Sequence, residues 1–240
     1  MFGCNGVATI RDFRTSASVG GSLVDNGVTN LILNINKITK LNAVALVLCS
    51  GNTGTITFNI REITGSGTVT FKAAGTKTID INLTNFTFDS GINVTVLGGN
   101  AGGRTTIRGT SSYSRVLNFG NGAGVKNVLF ENFIGRTSSL PDTNINTYTF
   151  NNVTMEVATS FLTGSSINSV TFNGSNYIAS DTPNFLFTNV TTPSVFTVKG
   201  TLRTNFLSYG VNVSVIESGL TFKEKEKEIV IRSKFDLINK

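Results

Sequence analysis

Short runs in which apolar and polar residues alternate recur along the chain at a nearly constant spacing. They are Leu31-Ile-Leu33-Asn34, Ile56-Thr-Phe58-Asn59, Ile79-Asp-Ile81-Asn82, Val128-Leu-Phe130-Glu131, Tyr148-Thr-Phe150-Asn151 and Val170-Thr-Phe172-Asn173. Counted from the first residue of each run, the steps are 25, 23, 49, 20 and 22 residues, and the step of 49 spans two periods with Thr105-Thr-Ile107 near its middle. Weaker copies follow at Val195-Phe-Thr-Val198 and Val213-Ser-Val215. Alternate residues of a strand point to the same face, so the two apolar residues of each run are expected to point inward and stack in columns.

A strand-built period of about 20 to 25 residues is the length of one coil of a parallel β-helix and is too short for a four-stranded propeller blade. Leucine-rich repeats have that length too, but they need a Leu-x-x-Leu-x-Leu framework that is absent here. The expected fold is therefore all-β, a single-stranded parallel β-helix with about 20–25 residues per rung. Leu33, Phe58, Ile81, Phe130, Phe150 and Phe172 are the residues expected to be buried along its core.

An Asn follows the second apolar residue in five of the six strong runs. Asn tolerates the left-handed backbone of a sharp corner, and stacked Asn side chains can hydrogen-bond from rung to rung. These residues are thus expected to form a corner or a ladder, in preference to a binding stripe. Glu131 departs from the pattern and reads as an outward substitution.

The two ends differ from the repeat, as a solenoid requires, because an open terminal rung exposes unpaired backbone and core. Residues 1–25 are expected to be an N-terminal cap or attachment segment, 26–222 the β-helix, and 223–240 a C-terminal cap or intersubunit segment. The last segment opens with the alternating run Lys223-Glu-Lys-Glu-Lys-Glu228 and continues through Ile229-Val-Ile231, Phe235 and Leu237-Ile238. That is more apolar surface than a polar cap needs, which suits contact with a neighbouring chain.

Composition agrees with strands and turns. Hydrophobic residues make up 39% and charged residues only 14% of the chain, and Thr, Asn and Gly are poor helix formers. Net charge is +6 with a pI near 9.5. The charges are dispersed, not gathered on one face with base-reading side chains, so nucleic acid is not an expected partner. Two cysteines, Cys4 and Cys49, cannot make a disulfide framework, and buried free thiols are expected over a bridge. The first residues lack a basic and an apolar signal region, and no run approaches the roughly 18 apolar residues of a membrane span, so neither export by a signal peptide nor membrane insertion is expected.

Candidate chemistry is sparse. The chain has no His, which removes the commonest general base, the Ser-His-Asp and Cys-His arrangements and the usual zinc sites. Gly120-Asn-Gly122-Ala-Gly124 lacks the Lys-Ser/Thr of a phosphate-cradling loop and reads as a turn. Carbohydrate chemistry can run on carboxylates alone. Its candidates are Asp80, Asp89, Glu131 and Asp142, with Lys126 and Arg136 near in sequence; Asp80, between two apolar residues, should face outward. No acid pair recurs one coil apart, so no catalytic, metal or cofactor residue is assigned and no cofactor is expected. Tyr113, Tyr177 and Tyr209 are the candidate sugar-stacking platforms in a chain without Trp. The sequons at Asn82, Asn93 and Asn152 matter only on a secretory route.

The stretch Gly122-Ala-Gly-Val-Lys-Asn-Val-Leu-Phe-Glu-Asn132, with its Gly turn, Asn-Val-x-Phe strand and following Asn, resembles the rungs of pectate-lyase-like right-handed β-helices. The resemblance covers about residues 28–220 as a repeat style. It implies a superfamily of polysaccharide lyases and hydrolases, autotransporter adhesins and phage tailspikes. The paired Asp and Gly-His-Gly of its hydrolases cannot occur without His, and the calcium-binding acids of its lyases find no counterpart. Secreted lyases and autotransporters need an export signal, whereas virion proteins assemble in the cytoplasm of the infected cell. The expectation is a virion structural or attachment protein without catalytic activity: a fibre, spike, or capsid or tail decoration. It would be a homo-oligomer, on the pattern of a trimer, bound to other virion proteins and able to meet a cell-surface glycan. The alternatives are a polysaccharide lyase or hydrolase with an acidic groove, or a bacterial surface adhesin.

Overall fold

A computed structural model describes residues 3, 5–15, 22–24, 28–41, 46–49, 54–72, 78–89, 92–97, 104–111, 118–119, 127–137, 147–157, 169–180, 194–204, 213–216, 220–224 and 227–231. The described chain is all strand, and its coils stack as a parallel β-solenoid. The first ten strands alternate between two sheets. β1 (Gly6–Thr15) and β2 (Ser22–Val24) are followed by β3 (Asn30–Lys40) and β4 (Leu46–Cys49), β5 (Thr55–Gly65) and β6 (Gly67–Lys72), β7 (Thr78–Phe88) and β8 (Ile92–Leu97), and β9 (Arg104–Ser111) and β10 (Asn118–Phe119). Odd-numbered strands of this set build the larger sheet and even-numbered ones a five-stranded sheet.

The larger sheet continues through β11 (Asn127–Thr137), β12 (Thr147–Asn151), β13 (Thr154–Val157), β14 (Ser169–Ser180), β15 (Ser194–Thr204), β16 (Val213–Ile216) and β17 (Leu220–Glu224), all paired in parallel. β18 (Lys227–Ile231) then turns back antiparallel on β17, which sets Lys223 opposite Glu228 and Glu224 opposite Lys227. The described part of the alternating charge run therefore lies in two antiparallel strands at the end of the stack; residues 225–226, Phe235 and Leu237-Ile238 lie outside the described residues. At the other end β1, within the segment read as a cap, stands in register with β3 from Gly6 opposite Leu31 to Thr15 opposite Lys40.

Register bears out the period. Leu31, Ile56, Ile79, Thr105, Val128, Tyr148 and Val170 occupy one column, so Thr105-Thr-Ile107 is the missing middle copy. Coil length varies from 18 residues, Leu202 to Leu220, to 26, Ile79 to Thr105. The weak copies need correction: Phe196, not Val195, stands opposite Val170, and only Val215 of the last copy joins that column, opposite Phe196. Two adjacent apolar residues leave the phase ambiguous in the sequence there.

Leu33, Phe58, Ile81, Phe130, Phe150 and Phe172 are at most 1% exposed. Phe150 stacks between Phe130 and Phe172, with ring centroids 5.4 and 4.9 Å apart and planes within 12°. Strand spacing of about 4.8 Å sets this distance, so identical columns place rings face over face. The long strands bend midway. In β3 and β5 two consecutive residues, Asn36-Lys37 and Arg61-Glu62, leave the core between buried Ile35 and Ile38 or Ile60 and Ile63. One strand thereby covers two faces of the core. Among the described residues no helix is long and apolar enough to cross a membrane.

Candidate functional site

The outer face of the larger sheet carries one continuous polar column: Thr9, Asn34, Asn59, Asn82, Arg108, Glu131, Asn151, Asn173 and Lys199 stand in successive register. The repeated Asn residues form the expected ladder. Asn34 Nδ2 donates to Thr9 Oγ1 at 3.4 Å, Asn59 to Asn34 Oδ1 at 2.6 Å, Asn82 to Asn59 Oδ1 at 2.7 Å, and Asn173 to Asn151 Oδ1 at 2.7 Å. An amide has both donor and acceptor, so a single repeated residue type links coil to coil without a second partner.

The corner lies one residue further on. Asn132 and Asn152 have φ of 48° and 53°, and Gly109, Gly174 and Gly200 also have positive φ. Each follows its ladder residue directly. In these later coils the left-handed backbone falls to the position after the ladder residue, where Gly or Asn is tolerated, whereas Ile35, Ile60 and Leu83, which follow Asn34, Asn59 and Asn82, do not have positive φ. At Gly109 a side chain is impossible on a second count, since a Cβ would lie 1.6 Å from the carbonyl oxygen of Leu83. Asn152 Oδ1 accepts from Ser175 N at 3.0 Å, and Asn176 Oδ1 accepts from Val153 N at 3.0 Å, so amides also satisfy the backbone where the bend opens the sheet.

Arg108 interrupts the Asn series and gathers the acids around it. Its Nε donates to Glu131 Oε2 at 2.6 Å, one NH1 contact reaches Asn82 Oδ1 at 3.4 Å, and the same nitrogen lies 3.6 Å from Asp80 Oδ1. Asp80 faces outward, as expected. Two of the four acid candidates thus converge on an arginine that sequence reasoning had not singled out. The signal was available: Arg108 directly follows Thr105-Thr-Ile107 and holds the place of Asn82 and Glu131. Nearby, Thr105 and Thr106 are buried, and neither hydroxyl has a hydrogen-bond partner among the described residues.

The other candidates do not join this cluster. Asp89 accepts from the backbone N–H of Gly65 at 2.8 Å and acts as a turn brace. Arg136 stands in register with Glu156 on the other side of the bend. Tyr177 is 40% exposed on that same side. Asp142, Lys126, Tyr113, Tyr209, Cys4 and the Gly120-to-Gly124 turn lie outside the described residues, while Cys49 is in β4 opposite Val24.

Beside the ladder a groove of about 460 Å³ follows the bend across the first three coils. Thr9, Asn34 and Asn59 form one side, exposed Arg11, Asn36 and Arg61 the other, with Ile10, Ile35 and Ile60 between them. Its amides, hydroxyl and guanidinium groups offer donors to hydroxyls and carboxylates. Beyond the bend, Lys37 Nζ lies 3.5 Å from Glu62 Oε2, and Asp12 accepts from Arg14 Nε at 2.7 Å and Thr39 Oγ1 at 2.8 Å. The bonds from Arg14 and Thr39 hold the Asp12 carboxyl below its ordinary value. Burial pushes the Lys40 ammonium down. Among the described residues no group of His, Cys, Asp and Glu could hold a metal ion.

No family model, curated protein or solved structure matches the chain.

Proposed function

We propose that this chain is a structural or attachment protein of a virus particle, serving as a fibre, spike, or capsid or tail decoration and doing no chemistry. The observation that carries the reading is the outer ladder: its described links tie successive coils to one another, and Arg108 holds Asp80 and Glu131 as ion-pair partners, not as a free acid and base. Such a surface stiffens a shaft. The repeat style, with parallel coils in register over most of the described chain, supports grouping it with the pectate-lyase-like β-helices in their tailspike form. Residues 223–240 would join the protein to further copies or to neighbouring virion proteins, and the groove beside Asn34 and Asn59 would receive a cell-surface glycan. Assembly would take place in the host cytoplasm. Mass spectrometry of purified particles from the source tests the reading: peptides of this chain at a stoichiometric level support it, and their absence overturns it.

A second reading, a polysaccharide lyase or hydrolase, is favoured by one observation, the convergence of Asp80 and Glu131 on Arg108. Turnover of a polysaccharide that is abolished by Asp80→Asn or Glu131→Gln, with the fold intact, would establish it in place of the first.

A further inference from the structure

β1 is the outermost strand of the larger sheet, and among the described residues it pairs only with β3. No described residue pairs with its far edge, ten residues long, a length that ordinarily demands a partner. The core beneath it is also incompletely covered. Ala8, Ile10 and Phe13 pack against the core but remain partly exposed, whereas Leu33, Ile35 and Ile38, one coil further in, are buried.

The order of faces along β1 identifies the partner. Register with β3 sets Ala8, Ile10, Phe13 and Thr15 inward and Thr9, Arg11, Asp12 and Arg14 outward. The pattern is in-out-in-out, then out-in-out-in, and it is symmetric about the bend between Arg11 and Asp12. In antiparallel pairing, residues directly opposite share a face. A second β1 laid antiparallel and centred on the bend sets Ile10 opposite Phe13, Ala8 opposite Thr15 and Thr9 opposite Arg14. It also sets Arg11 opposite Asp12 twice, once on each side of the axis. This register keeps all eight residues on their own faces, and a slip of one residue would turn core positions to solvent.

We infer that two copies of this chain join through their β1 edges about a two-fold axis at the bend, merging their larger sheets into one. Charge complementarity favours a second copy over an unrelated strand. Arg11 makes no ion pair among the described residues, and the Asp12 carboxylate, which accepts one bond on each oxygen, retains lone pairs for the opposing guanidinium. The contact is isologous, so it closes at two copies and does not propagate. It lies at the opposite end of the stack from β17 and β18, and it stands whether or not the protein belongs to a particle.

Charge exchange tests it on the full chain. Mass by light scattering should be that of a dimer for the wild type and of a monomer for Arg11→Asp and for Asp12→Arg alone, since each reversal sets like charges opposite one another at both pairs. An equimolar mixture of the two single variants should return to dimer mass, because every opposing pair in the mixed dimer is again Arg with Asp. The double variant R11D/D12R should also dimerise. A monomeric wild type, an oligomer unmoved by either reversal, or a mixture that stays monomeric while both variants keep their β circular dichroism would overturn the inference.

Discussion

Asn59 Nδ2 donates to Asn34 Oδ1 at 2.6 Å, one coil to the next, while Asn59 Oδ1 accepts from Asn82 Nδ2 at 2.7 Å. Asn59→Asp keeps the shape and the acceptor but removes the donor, leaving two oxygens facing each other at the lower link. It should lower stability by about 1–2 kcal/mol, the cost of a lost bond with one partner left unsatisfied. Denaturant midpoints of the variant and wild type at neutral pH measure this directly, and an unchanged midpoint would show the ladder to be incidental.

Phe150→Ala empties the middle of a three-ring stack in which every ring is buried. The expected loss is about 3–5 kcal/mol from transfer and cavity terms. Phe150→Leu, which keeps most of the volume, should cost much less in the same unfolding experiment.

Arg108→Met leaves Asp80 and Glu131 without their shared cation. All three side chains are partly exposed, between 19% and 33%, so water offsets much of the loss, and about 1–2 kcal/mol is expected. The same substitution in an Asp80→Asn, Glu131→Gln background should cost clearly less. The difference between the two losses, read at low and high salt, isolates the ion pairs from the packing of the Arg stem.

Thr105→Val should raise stability. The hydroxyl is buried without a hydrogen-bond partner among the described residues, in an inward column between Ile79 and Val128. Replacing it with a methyl group of similar shape removes a desolvation cost of about 1–3 kcal/mol, and thermal unfolding should shift upward. The neighbouring Thr106, in the outer column between Asp80 and Leu129, is a less clean case because a carboxylate adjoins it.

The inward columns were legible in the sequence because two periods coincide there, the alternation within a strand and the repeat of the coil. Phe58, Phe150 and Phe172 satisfy both. The phase is ambiguous where neighbouring residues are both apolar, as at Val195-Phe196, whereas the spacing alone places Thr105 in its column although it is polar. Of the two roles open to the repeated Asn, the ladder is the one their hydrogen bonds show, while positive φ falls to Gly109, Asn132, Asn152, Gly174 and Gly200, each directly after a ladder position. Contacts such as Lys37 with Glu62 or Arg108 with Asp80 depend on coil lengths that vary, so no single spacing exposes them.

Asp12 gives the protein an acid-sensitive contact. Its carboxyl sits below its unfolded value because Arg14 and Thr39 donate to it. A lowered folded value means that the stabilisation is complete above the unfolded value, near pH 4, and disappears as pH falls through the folded one. Wild type should therefore exceed Asp12→Asn in stability at neutral pH, and the gap should close as pH falls below the ordinary carboxylate range and through the lowered folded value. A constant gap down to strong acid would assign the difference to something other than this titration.

The ladder bonds from Asn34, Asn59, Asn82 and Asn173 all run the same way, each N–H aimed at the preceding coil, and Arg108 NH1 toward Asn82 follows the same sense. Along Asn34, Asn59 and Asn82 their bond dipoles therefore add instead of cancelling, and each polarises the next as in any aligned chain of hydrogen bonds, up to Arg108, whose Nε donates the other way to Glu131. An extended sheet ordinarily has little net moment because strand dipoles alternate; here the side chains supply one along the stacking axis. Over the coils from Thr9 to Arg108 the ladder thus has an electrical head and tail, with its positive sense toward β1.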